Sequence, residues 1–180
     1  MEFKGSRTEA NLMAAFAGES QARNKYTYYA AQARQEGYEQ IGAIFEETAH
    51  NEKEHAELWF KYLHNGSIGP TRANLTDAAS GEHYEWSEMY KEFSEIAKEE
   101  GFTEISAVMS LVANIERAHE ERYLKLLQNL EKNVVFQCED GQTVWICRNC
   151  GHIHTGKTAP GMCPVCKKPQ AYFERKAQNY

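Results

Sequence analysis

Two glutamates are each followed three positions later by a histidine: Glu52 by His55, and Glu116 by His119. About nine helical turns upstream of each stands another glutamate, Glu19 before Glu52 and Glu82 before Glu116. Residues three apart share a helix face, so each Glu-x-x-His pair can aim at one interior point. One Glu from each of two helices, with Glu-x-x-His from each of two others, is the ligand plan of a dinuclear carboxylate-bridged metal site in a four-helix bundle. Such ligands suit hard-to-borderline ions such as iron or manganese. The carboxylates offset the repulsion between two cations, and the imidazoles supply terminal nitrogens. Glu85, three positions after Glu82 and on its face, is a seventh candidate. A spare carboxylate can exchange with a histidine as an ion changes charge, which points to redox chemistry and away from a static structural site. Any one of these glutamates alone reads as a solvated helix face; all of them in a duplicated plan do not.

Tyr26, seven positions after Glu19, and Tyr90, eight after Glu82, are placed to hydrogen-bond ligating carboxylates. Taken singly they read as core or interface tyrosines, and Tyr29 and Tyr123 are weaker candidates for that role. Asp77 and Glu120 are read as caps or surface residues.

A second site follows. Cys147-x-x-Cys150 and Cys163-x-x-Cys166 form two knuckles with twelve residues between them. Four thiolates in this spacing bind zinc or a single iron. Zinc would make the module structural, and iron would make it a one-electron carrier. The text is not Cys-x-x-Cys-His, so covalent haem is not indicated. Cys138 has no partner by spacing and reads as a small buried thiol. His152 and His154 are surplus to four cysteines and read as surface or supporting residues.

Elements must carry these ligands. Apolar periodicity predicts helices over residues 5–36, 38–65, 74–99 and 103–132, with Gly37 and Gly101 as breaks. Asn74 is predicted to cap the third helix with Asp77 in the capping-box place, and Gly81 to admit a close neighbour beside Glu82. The helices form two hairpins that repeat each other in ligand placement. The link over residues 66–73 is short for a crossover, which is needed only if both hairpins lie parallel; unwinding of part of the second or third helix is one way to lengthen it, and the sequence does not decide the connectivity. Beyond Asn133 the pattern changes. Residues 134–138 and 143–147 read as a β-hairpin and 171–174 as a third strand. This tail cannot bury much core, so a metal is its expected staple. The predicted organisation is a helical bundle over 1–133 and a small metal-knuckle domain over 134–180.

The chain has 180 residues, is 42% hydrophobic and carries a formal charge of −6. From residue 133 on it holds three acids and six bases, so the bundle is strongly acidic and the tail slightly basic. An acidic chain without a basic run excludes a nucleic-acid binder. No stretch reaches eighteen apolar residues, and no apolar segment follows the first charged residues. No membrane span or secretory leader is expected, and the cytoplasm is the expected location. Cysteines confined to the tail favour metal ligation over a disulfide framework.

The segments GESQARNKY (Glu19, Tyr26), ETAHNEKEHA (Glu52, His55), GEHYEWSEMY (Glu82, Glu85, Tyr90) and NIERAHEERY (Glu116, His119), followed by the cysteine knuckles, closely resemble the rubrerythrin family. The resemblance implies a mainly α fold, a ferritin-like four-helix bundle followed by a rubredoxin-like domain. It implies two non-haem irons bridged by Glu52 and Glu116, with Glu19 terminal on one and Glu82 and His119 on the other. Glu85 would bind the first iron when oxidised and His55 would replace it on reduction. Cys147, Cys150, Cys163 and Cys166 would hold a third iron, or zinc if misloaded. The implied activity is reduction of hydrogen peroxide to water, as protection against oxidative stress. Electrons would come from NAD(P)H through a separate reductase and an external donor such as rubredoxin. No Gly-x-Gly-x-x-Gly segment is present, so the nicotinamide is not expected to bind this chain. A homodimer or higher homo-oligomer is also implied. The alternatives are a ferroxidase or iron-storage protein, disfavoured by Glu85 and the redox module, and a zinc-stapled interaction protein.

Overall fold

The computed structural model describes residues 2–139 and 141–177. The chain divides into two compact units, one ending at Pro70 and one beginning at Thr71.

The first unit is a helical hairpin, α1 (Arg7–Gln35) and α2 (Glu39–Leu63). Ser6 opens α1: its hydroxyl accepts from the Glu9 amide at 3.1 Å, and the Glu9 carboxylate accepts from the Gly5 amide. This is a variant of the capping box, in which the carboxylate reaches the amide before the cap and not the cap's own. The hairpin turns at Gly37, whose φ of +86° suits the left-handed residue that ends a helix; the next amide, Tyr38, reaches back to the Ala33 carbonyl at 2.8 Å. Small residues line the seam between the helices: Ala30, Ala33, Gly42, Ala49 and Ala56 are the buried ones. A Cβ on Gly42 would lie 3.2 Å from the Ala30 carbonyl oxygen, so glycine sets how closely the backbones approach there.

The second unit begins with α3 (Thr71–Tyr84), continues through a π-helical segment (Glu85–Met89) into α4 (Tyr90–Glu99), and folds back as α5 (Thr103–Glu131). Its turn repeats the first: Gly101 has φ +88°, and the Phe102 amide reaches the Ala97 carbonyl at 2.8 Å. The predicted helices are therefore present, with three corrections. The third starts at Thr71, directly after Pro70, so Asn74 lies inside it and is not its cap. Neither α2 nor α3 unwinds, and only residues 64–70 separate them. Among the described residues no heavy atom lies within 4 Å of where a Gly81 Cβ would be, so the expected close neighbour is not seen.

The tail forms a three-stranded antiparallel sheet in the order β2–β1–β3: β1 (Thr143–Cys147), β2 (Ile153–Gly156) and β3 (Phe173–Arg175). The predicted hairpin of 134–138 with 143–147 is not formed. Instead β1 pairs with β2, Trp145 opposite His154, and the earlier segment runs beside residues 157–159 through Cys138 N to Lys157 O and Ala159 N to Phe136 O. The first cysteine turn is what reverses the chain between β1 and β2. The expected third strand over 171–174 begins only at Phe173, after a short 3-10 turn at Gln170–Tyr172. The core here is Trp145, Cys147, Ala159, Cys163 and Phe173. Two of those five residues are metal-ligand candidates, so metal and core are one structure.

Candidate metal centres

Each helical unit carries half of the carboxylate–histidine plan. In the first hairpin Glu19 comes from α1, and Glu52 and His55 from α2; one ligand atom from each falls within 4.8 Å of the others. His55 Nδ1 lies 2.9 Å from Glu52 Oε2 and 3.9 Å from Glu19 Oε1. In the second unit Glu82 comes from α3, and Glu116 and His119 from α5, again within 4.8 Å. His119 Nδ1 lies 2.7 Å from Glu116 Oε2 and 3.5 Å from Glu82 Oε2. In both, the Nδ1 atom faces the glutamate one turn earlier, and the second helix adds a carboxylate to the same point. Two carboxylates and one imidazole, converging with no lysine or arginine among them, form a cation-binding set. The two half-sites fit one iron each.

Glu85 is the first residue of the π-helical segment. Burial holds its carboxyl above the usual range, the charges of Glu116 and Glu82 raise it further, and His119 partly offsets them. It therefore sits beside the second half-site without being one of the converging three. Tyr90 is also raised, first by burial and then by Glu85 and Glu116, which places it in the same electrostatic neighbourhood. Tyr26 packs against Tyr29 and Phe45, with ring centroids 6.2 and 6.1 Å away. Among the described residues no hydrogen bond joins Tyr26 to a carboxylate, so in this structure it is an aromatic packing residue.

The π-helical segment is an element that sequence reasoning missed. Sixty-three positions separate Glu19 from Glu82, but sixty-four separate Tyr26 from Tyr90, Gly37 from Gly101, Glu52 from Glu116 and His55 from His119. The second hairpin therefore holds one extra residue between Glu82 and Tyr90. A π turn accommodates one added residue within a continuing helix, and Glu85–Met89 is where it does so.

Glu120 also corrects the sequence reading. It is no cap or surface residue: its side chain is 16% exposed, one oxygen accepts from Trp86 Nε1 at 2.6 Å and the other faces His83 Nδ1 at 3.0 Å. It ties α5 to the helix carrying Glu82 and Glu85, one residue from His119. Asp77 is exposed, as read.

The four cysteine sulfurs of the tail lie within 4.8 Å of one another. Cys147 Sγ to Cys166 Sγ is 3.7 Å and Cys150 Sγ to Cys163 Sγ is 3.6 Å. A tetrahedron with metal–sulfur bonds of about 2.3 Å has sulfur–sulfur edges of about 3.8 Å, so the cage is the size a tetrathiolate metal needs. None of the five cysteines is in a disulfide. The His152 amide lowers the Cys150 thiol, but burial and the neighbouring sulfurs outweigh it and push the thiol up to about 12. The Lys168 amide, opposed by burial and helped by neighbouring side chains, brings Cys166 down to about 6. A bound cation would favour the thiolate form of all four. Cys138 stays outside the cage and is half-buried. His152 serves the knuckle through its backbone, its carbonyl accepting from the Cys147 amide at 2.9 Å.

A mainly helical chain with two carboxylate–histidine half-sites and a tetracysteine knuckle module fits two irons plus one, and defines an iron-dependent oxidoreductase. Comparison with known proteins agrees. The family model for rubrerythrin matches residues 10–127, and that for the rubrerythrin rubredoxin-like domain matches residues 145–174. A rubrerythrin of Porphyromonas gingivalis is 50% identical over 188 aligned residues, covering 98% of this chain and 94% of that one. A rubrerythrin of Nitratidesulfovibrio vulgaris is 47% identical, covering 98% of each. Among solved structures, nigerythrin in a partially reduced state is 34% identical over 97% of this chain and 89% of that chain, with a TM-score of 0.37. The chain belongs to the rubrerythrin family. Among the described residues no helix is long and apolar enough to cross a membrane.

Proposed function

We propose that this chain reduces hydrogen peroxide to water in the cytoplasm, taking electrons one at a time through the tetracysteine iron from an external donor such as rubredoxin and its NAD(P)H-dependent reductase. Each peroxide takes two electrons and two protons and leaves as two waters. The observation that carries the reading is the joining, in one chain, of two equal carboxylate–histidine half-sites with a tetrathiolate cage. A storage protein has no need of the cage, and a zinc ribbon has no need of the half-sites. When bound, the paired irons supply Lewis-acid polarisation of an oxygen and one electron each. Glu52 and Glu116, less exposed than Glu19 and Glu82, would hold the cations, with Glu19, Glu82 and His119 as further ligands. Glu85, beside Glu116, would be a reserve ligand that could take the place of His55, whose ring is half-exposed. Tyr90 lines that carboxylate's surroundings.

The test is anaerobic mixing of fully reduced protein of known metal content with one equivalent of peroxide, following both iron chromophores. Peroxide should disappear as the bundle irons oxidise, with the tetracysteine iron losing its electron afterwards. Glu85→Ala should slow the first phase at an unchanged melting temperature. An iron-loaded, reduced protein that leaves peroxide intact while reacting with dioxygen would overturn this reading in favour of iron oxidation.

A further inference from the structure

We propose that Glu120 and Trp86 are positioning residues for Glu85: their hydrogen bond fixes where the π turn opens the helix, and so holds the Glu85 carboxylate beside the second half-site. This rests on the two-iron reading above, in which Glu85 is a reserve ligand. Three observations carry it.

The first is that the placement of the π turn needs a cause outside its own helix. One extra residue can be absorbed at several points between Glu82 and Tyr90. Glu85, three residues after Glu82, shares its face only while the chain between them keeps the α register. A π turn moved ahead of Glu85 would rotate that residue by about 100°, one helical step, and take its carboxylate off the face. In the structure the turn opens at Glu85 itself, whose carbonyl accepts from the Tyr90 amide five residues on. π turns are rare because α bonding competes with them, so the one position observed has to be selected by packing.

The second is the contact that selects it. Trp86, next to Glu85, donates through Nε1 to Glu120 Oε2 at 2.6 Å. Among the described residues no other side chain of Glu85–Met89 hydrogen-bonds to α5. Glu120 lies one turn beyond Glu116, about 6 Å along the same helix. Its other oxygen faces His83 Nδ1 at 3.0 Å, and the His83 ring meets Trp86 edge-on with centroids 5.2 Å apart. One carboxylate therefore engages residues 83 and 86, which are three apart and face one way only in α register. Glu85 lies between them, so the stretch that carries it is held in step with Glu82, and the slack falls after it.

The third is that the first hairpin has none of these parts. Sixty-four positions before Glu120 stands Ala56, buried in the seam between α1 and α2. His83 corresponds to Ser20, and the place of Trp86 holds Arg23 or Ala22, counted at sixty-three or sixty-four. There α1 runs as unbroken α-helix. A carboxylate where the repeat has a seam alanine is costly to desolvate and gains little net stability even when paired. What it adds in the second hairpin is a fixed register, and it stands where the π turn and Glu85 stand.

The test is whether the clamp acts through Glu85. Trp86→Phe keeps the ring and removes the donor. Glu120→Gln keeps a carbonyl that can accept from the indole. Full-length proteins loaded with iron-57 and oxidised are compared by Mössbauer spectroscopy, with bundle iron counted against the tetracysteine iron. Trp86→Phe should bind both bundle irons yet show the altered ferric signal of Glu85→Ala. Adding it to Glu85→Ala should change that signal no further, and Glu120→Gln should keep the wild-type signal. In the metal-free protein, Trp86→Phe should speed exchange of the Glu85–Tyr90 amides by about 10–100-fold, the factor for one lost hydrogen bond to a charged acceptor. The pair Trp86→Phe with Glu120→Leu orphans neither partner, so it reports the same signal should the single change prove unstable. A wild-type ferric signal in Trp86→Phe and in that pair, or effects that add to those of Glu85→Ala, would overturn the positioning role and leave the bond as packing alone. Glu85→Ala with a wild-type signal would overturn the reserve-ligand reading, and the proposal with it; that result comes from a protein whose clamp is intact, so the two failures are distinct.

Discussion

Glu120 lets the packing of the second unit be tested apart from its metal chemistry. It accepts a 2.6 Å hydrogen bond from the Trp86 indole and faces His83 at 3.0 Å. The carboxylate is well covered, whereas the His83 side chain is 55% exposed, so the Trp86 bond should dominate. A hydrogen bond to a charged group contributes about 1.5–3 kcal/mol, and an orphaned buried donor costs about 1–3 kcal/mol. Glu120→Ala should therefore destabilise the helical unit by about 2–3 kcal/mol, and Trp86→Phe by about 2 kcal/mol. The double variant should fall short of their sum by about 1.5 kcal/mol, because the second change removes a bond already broken. His83→Ala should cost about 1 kcal/mol or less, since water replaces the ring as a partner. The assay is denaturant unfolding of the metal-free chain followed by helical circular dichroism, with wild type, both single variants and the double variant compared as a cycle. Independent sites add to within about 0.5 kcal/mol. Additivity at that level between Glu120 and Trp86 would refute the claim that this bond ties α5 to the helix of Glu82.

Two further outcomes are expected. Removing the metal from the tail by chelation, or by Cys163→Ser, takes away a contribution of about 10–16 kcal/mol, more than a small domain's whole stability; hydrogen exchange should show the β1 amides losing protection while α1 keeps its own, and unchanged β1 protection would contradict a metal-built core. Deleting Ser87 should convert the π turn to α-helix and leave α4 in register, so thermal unfolding should hold while the peroxide reaction slows. Deleting Glu92 instead rotates the rest of α4 by about 100° and should unfold the unit; equal tolerance of both deletions would show that the π turn is not where the extra residue is absorbed.

Much of both candidate centres was legible because their signals are local. Glu52 and His55, Glu116 and His119, and both cysteine knuckles declare themselves by spacings of three, and the structure brings each set together. What was not legible depends on distant partners. Glu120 reads as surface from its own helix, and only Trp86, thirty-four positions away, shows otherwise. The β1 partner was misassigned by proximity: residues 134–138 look like half of a hairpin, but the turn held by Cys147 and His152 selects β2. The start of α3 was misplaced for a different reason. Pro70 cannot continue a helix, but it can stand immediately before one, and Thr71 follows it directly into α3.

The π turn lies between these cases. Its signal was in the chain, as the shift from sixty-three to sixty-four positions between the two repeats, and required only that the tyrosines be counted along with the ligands. Its consequence is asymmetry. At the place in α1 that corresponds to Glu85, sixty-three positions earlier, stands Ala22. The two half-sites are thus equal in their three converging ligands and unequal in one carboxylate, which starts the π segment. Duplication alone makes a pair of identical cation sites. Glu85, standing where the first repeat has Ala22, gives the second half-site a carboxylate that the first lacks, and the added residue, absorbed without breaking the helix, leaves Tyr90, Gly101, Glu116 and His119 in the order their counterparts follow. These two differences, one side chain and one inserted residue, are what set the second ligand set apart from the first.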